Sequence, residues 1–224
     1  MAETNDRKAD RYHHGNLKTA LVDGFLEMLP STTIESISLR KLATHIGVAA
    51  TAVYNHFSNK DELCAAVKLR CLDHFAQWLE SHVEKNAEPE ERIYALSKAY
   101  FQYSLQHPQY FQFIFQIDIP QEYVTAELIE TSMRAEQELR NSVIALLEKH
   151  QLPTTQYNEG LGAFACWSLA HGVTTLAAKH VNHAACLSGR WPPEFMLDNK
   201  ESINAAFEPL SKVVIAGILA VAKK

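Results

Sequence analysis

Apolar residues recur at three- and four-residue spacing along almost the whole chain, and only eight glycines and eight prolines interrupt its 224 residues. That is the period of the α-helix, in which residues three and four apart share a face. An all-helical protein is therefore predicted. Leu17, Leu21, Phe25 and Met28 mark a first helix that stops at Leu29-Pro30, because the residue before a proline disfavours the helical region. A short second helix is capped by Ser38, turns Leu39, Leu42, Ala43 and Ile46 inward, and ends at Gly47, the residue type suited to a left-handed C-terminal position. A third covers about Ala50 to His56, and Asn59 with Glu62 reads as a capping box opening the fourth.

The fourth helix carries the longest unbroken pattern of the first half, with Leu63, Val67, Cys71, Phe75, Leu79 and Val83 falling every four residues. A strict four-residue repeat drifts around a helix of 3.6 residues per turn, so its apolar stripe rotates. Such a helix faces one core at its start and another at its end, and is predicted to connect two bodies. Beyond it, Glu88-Pro89 opens a helix through about Gln106 and His107-Pro108 breaks it. Tyr110 to Phe115 forms a short aromatic helix ending near Pro120. One further helix is predicted from Glu122 to His150, and two more from Gln156 to Val181 and from Ser202 to Ala222. The sequence holds no internal repeat and no low-complexity segment.

The net charge of −5, with the 11 histidines neutral, excludes a uniformly basic protein. Divided along the chain it is less restrictive: residues 1–70 hold nine Lys plus Arg against eight acids, leaving −6 for the remainder. That asymmetry has the sign of an N-terminal unit that meets a polyanion. The longest uninterrupted apolar run, Val213 to Ala222, is ten residues where a membrane span needs about 20, so no segment is expected to cross a bilayer. Met1 to Tyr12 lacks the apolar stretch of a signal peptide, and Cys64, Cys71, Cys166 and Cys186 form no C-x-x-C pair. A cytoplasmic protein with reduced thiols is expected. Gly160-Leu161-Gly162 is no phosphate loop, Ser188-Gly189 lacks a nucleophile elbow, and no helix pairs histidines at i and i+4 with an acid. The chain is not expected to be an enzyme, and it implies no cofactor.

Residues 37–63 carry the most specific signal. Two short helices separated by a glycine turn form a helix-turn-helix, whose second helix enters the major groove. A groove about 12 Å wide admits a helix with small or polar outward side chains, and here they are Ala50, Thr51, Ala52 and Asn55. Val53 and Phe57, four apart, would hold it to the first two helices. The run Tyr54-Asn55-His56-Phe57 with Lys60 behind it, preceded by Arg40-Lys41-Leu42-Ala43 and Gly47-Val48, resembles the DNA-binding domain of the TetR family of bacterial repressors. Ala49 departs from that pattern, standing where many members have a capping serine or another polar residue. Losing such a cap costs roughly 1 kcal/mol of local helix stability.

The resemblance and the chemistry assign the same roles. Ser38, Tyr54, His56 and Lys60 donate to phosphates and set register. Thr51 and Asn55 read bases, asparagine being suited to adenine, while Ala50 and Ala52 touch thymine methyls. Arg40 reads guanine or holds a phosphate; for Arg40 and Lys41 alike, a merely solvated helix face is the alternative. Tyr12-His13-His14-Gly15-Asn16-Leu17 resembles the entry to helix 1 in one subgroup of the family. Before it, Arg7, Lys8 and Arg11 form either a DNA-contacting arm or a plain tail.

In the C-terminal half, Trp167-Ser168-Leu169-Ala170-His171-Gly172 resembles the Trp-His-Gly (WHG) signature of one class of TetR-family C-terminal domains. The segment from Ala99 to Phe111, a helix ended by His-Pro before a short aromatic one, is similar to the same class. The resemblance implies a helix-turn-helix domain with its arm over residues 1–61 and a helical ligand-sensing and dimerisation domain over 62–224. Tyr103, Tyr110, Phe111, Trp167 and His171 are the expected ligand contacts, since pockets for small uncharged compounds are apolar with a few polar anchors. A satisfied core pair is the competing reading of Trp167 and His171. His180, His183 and Cys186 stand three apart, but no fourth ligand follows at a usual spacing and no metal is expected.

Val213 to Ala222 is apolar all round and is predicted to be buried on every side, against its own domain and against something else. The resemblance implies a homodimer through the last two helices, with Gly160, Gly162, Ala163 and Gly217 letting helices approach closely. A two-fold dimer sets two recognition helices about 34–36 Å apart, on a near-palindromic operator of double-stranded DNA. The expected function is a repressor released by a small apolar or aromatic effector; control by a protein partner is the alternative.

Overall fold

Proline, glycine and capping side chains set the helix ends. The computed structural model describes residues 17–180, 192–197 and 199–222. The arm residues Arg7, Lys8 and Arg11, the entry segment Tyr12 to Asn16, and His183, Cys186 and the His180 side chain lie outside the described residues. Among those described there are nine α-helices and no strand: α1 Leu17–Met28, α2 Leu39–Ile46, α3 Ala50–Tyr54, α4 Lys60–Ser81, α5 Pro89–Gln106, α6 Pro108–Gln116, α7 Ala126–Lys149, α8 Gln156–His180 and α9 Lys200–Val221. The all-helical expectation holds. Pro89 and Pro108 open α5 and α6, positions where the missing N–H has no helical partner to lose.

Two boundaries differ from the sequence pattern for local reasons. The helix expected from Glu122 begins as a separate 3-10 turn, Gln121–Tyr123, because Val124 is extended and the Thr125 hydroxyl accepts from the Leu128 N–H at 3.1 Å, starting α7 afresh. Helix α9 starts two residues earlier than expected, where Asn199 and Ser202 make a reciprocal capping box.

The described chain divides into two compact units: residues up to Asp73 together with Gln109–Thr131, and His74–Pro108 together with the residues from Ser132 onward. This is a different division from sequence domains at 1–61 and 62–224. The first unit keeps the first half of α4 and also takes in α6, because Phe25 of α1 meets Phe113 of α6 edge to face, with ring centres 5.8 Å apart. Lys68 of α4 donates to the Ile117 carbonyl at 2.6 Å, and Asn59 donates to the Tyr123 hydroxyl at 2.5 Å. The core of this unit is built on Leu21, Phe25, Ile37, Leu42, Val53, Phe57, Leu63 and Val67, all buried.

All six apolar residues of the α4 repeat are buried, and the unit boundary splits them three and three. The second unit packs α5, α8 and α9 against one another. Ile93, Val143, Leu146, Cys166, Ile215 and Ile218 belong to one buried cluster, which brings in α7. Gly162 serves this packing: a Cβ there would stand 2.5 Å from Val143 Cγ1, so the close approach it permits is between α8 and α7 of one chain.

Helix α9 is covered by its own chain on one side only. Ile215, Ile218 and Ala222 are buried, but Val213 is 69% exposed, and Val221, Ala216, Gly217 and Ala220 face outward. An apolar pattern states that a residue avoids water, not that its own chain covers it. Helices α8 and α9 pass the membrane test by average hydropathy, which the count of uninterrupted apolar residues did not measure. Gln156–Ala178 and Lys200–Val221 are long and apolar enough to cross a bilayer by length and composition, at mean hydropathy 1.3 and 1.4. Scattered polar residues break the uninterrupted runs without lowering the average. In the fold both pack within the second unit, with 39% and 28% of those apolar windows buried.

Candidate nucleic-acid interface

The α2-turn-α3 pair is fixed by bonds local in sequence. Ser38 is the N-cap of α2, its hydroxyl accepting from the Lys41 N–H at 3.2 Å. Gly47 takes φ +83°, the left-handed region, and its N–H and that of Val48 both donate to the Ala43 carbonyl at 2.9 Å. Ala49 at the N-cap of α3 supplies no side-chain bond, as its departure from the family pattern implied.

Helix α3 is shorter than expected. The Val53 carbonyl accepts from both His56 N–H and Phe57 N–H at 3.0 Å, which closes a turn and swings Phe57 into the core at 1% exposure. Val53 is the one buried residue of α3. Thr51, Tyr54, Asn55 and His56 are exposed, Ala50 and Ala52 half-buried, and Ser38, Arg40 and Lys41 exposed on α2 and its cap. The candidate DNA contacts outside Lys60 are thus displayed by this pair of helices and the turn that follows.

Lys60 is half-buried and bonded within the unit. Its Nζ donates to the carbonyls of Ile34 at 2.6 Å and Glu35 at 3.1 Å, neutralising the end of a short 3-10 turn, and Lys41 Nζ donates to the Ser36 carbonyl at 2.8 Å. The predicted capping box is also rearranged. Asn59 accepts from the Glu62 N–H at 2.9 Å, but the Glu62 carboxylate accepts from the Ser58 N–H and hydroxyl, each at 2.7 Å. Those two bonds hold the Glu62 carboxyl below the usual carboxylate range. Lys18 of α1 was not among the sequence candidates. Its Nζ lies 5.7 Å from the centre of the Phe57 ring, beside the turn that leaves α3. No signal in the sequence could have found it, because the approach of α1 to that turn is tertiary.

The expected ligand contacts fall in both units. Tyr110 and Phe111 belong to the first unit and Tyr103, Trp167 and His171 to the second. Within the second unit an aromatic array runs from Trp167 to His171 at 6.0 Å, on to Tyr100 at 6.1 Å, then Phe75 at 5.6 Å and Tyr103 at 4.8 Å. Tyr100 and His171 share a 2.7 Å hydrogen bond, and Tyr103 shares one of 3.1 Å with His74. Burial pushes the Tyr100 phenol up, against a hydrogen bond from Trp167. Tyr100, Phe75, His74 and Trp78 were missed, although Tyr100 and Tyr103 are three apart and share a helical face. A cleft of about 240 Å³ in the first unit, lined by Thr32, Thr33, Ile34, Gln109, Gln112 and Ile117 among others, contains none of the five expected residues. Among the described residues no three His, Cys, Asp or Glu side chains are grouped to hold a metal.

A serine-capped helix, a left-handed glycine and a following helix that offers small and polar side chains outward define the helix-turn-helix class of DNA-binding proteins. Residues 32–67 match the family described as bacterial regulatory proteins, tetR family, and residues 93–184 match the Tetracyclin repressor-like, C-terminal domain. The chain belongs to the TetR family of transcriptional regulators, a family of DNA-binding proteins and not of enzymes. The WHG class is a narrower assignment than these matches carry. An uncharacterised HTH-type transcriptional regulator of Mycobacterium tuberculosis is 26% identical over 91 residues, a match spanning 41% of this chain and 41% of that relative. A Rhodococcus protein of unknown function shares the fold with a TM-score of 0.69 at 22% identity, over 91% of this chain and 98% of that one. A possible TetR family transcriptional regulator from Streptomyces coelicolor does so with 0.61 at 16% identity, over 91% and 99%.

Proposed function

We propose that the chain is a homodimeric transcriptional repressor, released from a near-palindromic operator by a small apolar or aromatic ligand. The observation that carries the DNA reading is the outward array on α2, α3 and the turn after it: Ser38, Arg40, Thr51, Tyr54, Asn55 and His56 are all exposed on helices locked from beneath. In this reading residues 1–61 bind DNA and residues 62–224 sense the ligand and dimerise. Thr51 and Asn55 read base edges, Ala50 and Ala52 pack on thymine methyls, and Ser38, Tyr54 and His56 hold phosphates. Lys60 supports the 3-10 turn behind them and adds its field to the phosphates without leaving its carbonyls. A protein that reads chromosomal DNA works in the cytoplasm.

Dimerisation is assigned to the outward apolar faces of α8 and α9, where Phe164, Trp167 and Val213 stand in solvent in the single chain. The effector is assigned to the aromatic array of Trp167, His171, Tyr100 and Tyr103, and the WHG reading of residues 167–172 goes with it. Ligand binding then shifts a pre-existing equilibrium between two half-site spacings. The test is operator selection from a random-sequence duplex pool, followed by titration of Tyr54→Ala and Asn55→Ala variants. Each is expected to weaken the selected duplex about tenfold or more. Wild-type protein that enriches no sequence, or variants that bind like wild type, would overturn the assignment.

A further inference from the structure

The described part of the first unit contains six lysines and arginines: Lys18, Arg40, Lys41, Lys60, Lys68 and Arg70. Four of them are spent inside the unit. Lys41, Lys60 and Lys68 donate to backbone carbonyls, and Arg70 pairs with Asp23 at 3.0 Å. Among the described residues, Lys18 and Arg40 make no hydrogen bond or ion pair through their side chains. Arg40 lies on α2 within the motif. Lys18 comes from α1, outside it.

Lys18 is exposed, yet its Nζ stands 5.7 Å from the Phe57 ring centre, and Phe57 is fixed in the core three residues after Tyr54. An ammonium attracted to the face of a ring that is itself fixed in the core has a preferred position before any partner arrives. The acid whose field it meets, Glu62, is already committed to the Ser58 N–H and hydroxyl. The ammonium therefore stands beside the turn that carries Phe57, exposed and with no hydrogen bond or ion pair among the described residues.

We infer that Lys18 grips a backbone phosphate of the operator flanking the recognition helix, an anchor supplied by α1 and absent from the helix-turn-helix motif. The inference rests on the DNA-binding reading and deepens it. A phosphate anchor acts on every sequence alike and through released counterions, whereas a base reader acts on one sequence. Lys18 should therefore be visible in the salt dependence.

The experiment measures binding of the full chain to the pool-selected duplex and to a mixed-sequence duplex of equal length by fluorescence anisotropy, across a series of KCl concentrations. Lys18→Gln is expected to weaken both duplexes by the same factor, about two- to tenfold, and to flatten the slope of log affinity against log salt by about 0.9 per chain. Lys18→Arg should keep the wild-type slope, and Asn55→Ala should weaken the selected duplex alone. Because the slope does not depend on the active fraction, partial unfolding of a variant leaves it readable. An unchanged slope in Lys18→Gln, with wild type binding normally, overturns the Lys18 assignment and leaves the DNA reading standing. A wild type without salt-dependent binding to either duplex overturns the DNA reading and Lys18 with it.

Discussion

Phe164 offers the sharpest quantitative test of association. It is 62% exposed on α8, with its ring centre 5.9 Å from that of Trp167. A phenylalanine buries about 200 Å², so about 120 Å² of this one faces water in the single chain. At about 25 cal/mol per Å², covering it contributes about 3 kcal/mol, and a two-fold interface counts it twice. Alanine keeps the Cβ and a share of that area, so Phe164→Ala should cost about 4 kcal/mol per dimer, on the order of a thousandfold in the dissociation constant. Sedimentation equilibrium over a thousandfold range of protein concentration reads this directly. Far-UV circular dichroism spectra should keep wild-type helicity, since the side chain is largely outside the core, while the melting temperature falls with the lost association. A variant that associates within tenfold of wild type would refute the placement of the interface on this face.

Two other outcomes follow from local geometry. At Gly47 a Cβ would meet nothing within 4 Å, so Gly47→Ala should cost only the left-handed backbone penalty, about 1 kcal/mol in urea unfolding, and Gly47→Asn less; a loss above about 3 kcal/mol would mean that the turn is crowded after all. Glu62 has its folded pKa below its unfolded one, so its bonds to Ser58 stabilise fully above the unfolded value and are lost as pH falls through the folded one. Melting of the N-terminal unit should accordingly drop on acidification below about pH 5, with Glu62→Gln showing a shallower drop; parallel curves would count against the clamp.

The features legible in the sequence are those whose partners are near in the chain. Ser38 and Gly47 bracket α2 through bonds of three and four residues' reach, and the α4 repeat encodes its own rotation. The bonds of Lys60 were not legible, because its carbonyl partners, Ile34 and Glu35, lie on a turn some twenty-five residues earlier. The grouping of α6 with the first unit depends on Phe25 meeting Phe113, a pairing that no periodicity signals. The expected ligand residues were chosen for aromatic character, which does not distinguish Tyr103, sealed beside His74, from Trp167, which is 41% exposed. For α9 the pattern named the apolar residues correctly and left open which molecule covers them.

The anchoring of α3 by Val53 alone has a consequence for how such a protein diversifies. Since Thr51 and Tyr54 of the helix are exposed and Ala50 and Ala52 only half-buried, substitution of the exposed pair changes what is read with little effect on what folds. The reading head is in effect an interchangeable insert of about one and a half helical turns, seated in a socket made by α1, α2 and Phe57. Operator preference can therefore drift by single substitutions at Thr51 and Asn55 at nearly constant stability, and the same socket should accept reading residues transplanted from another regulator.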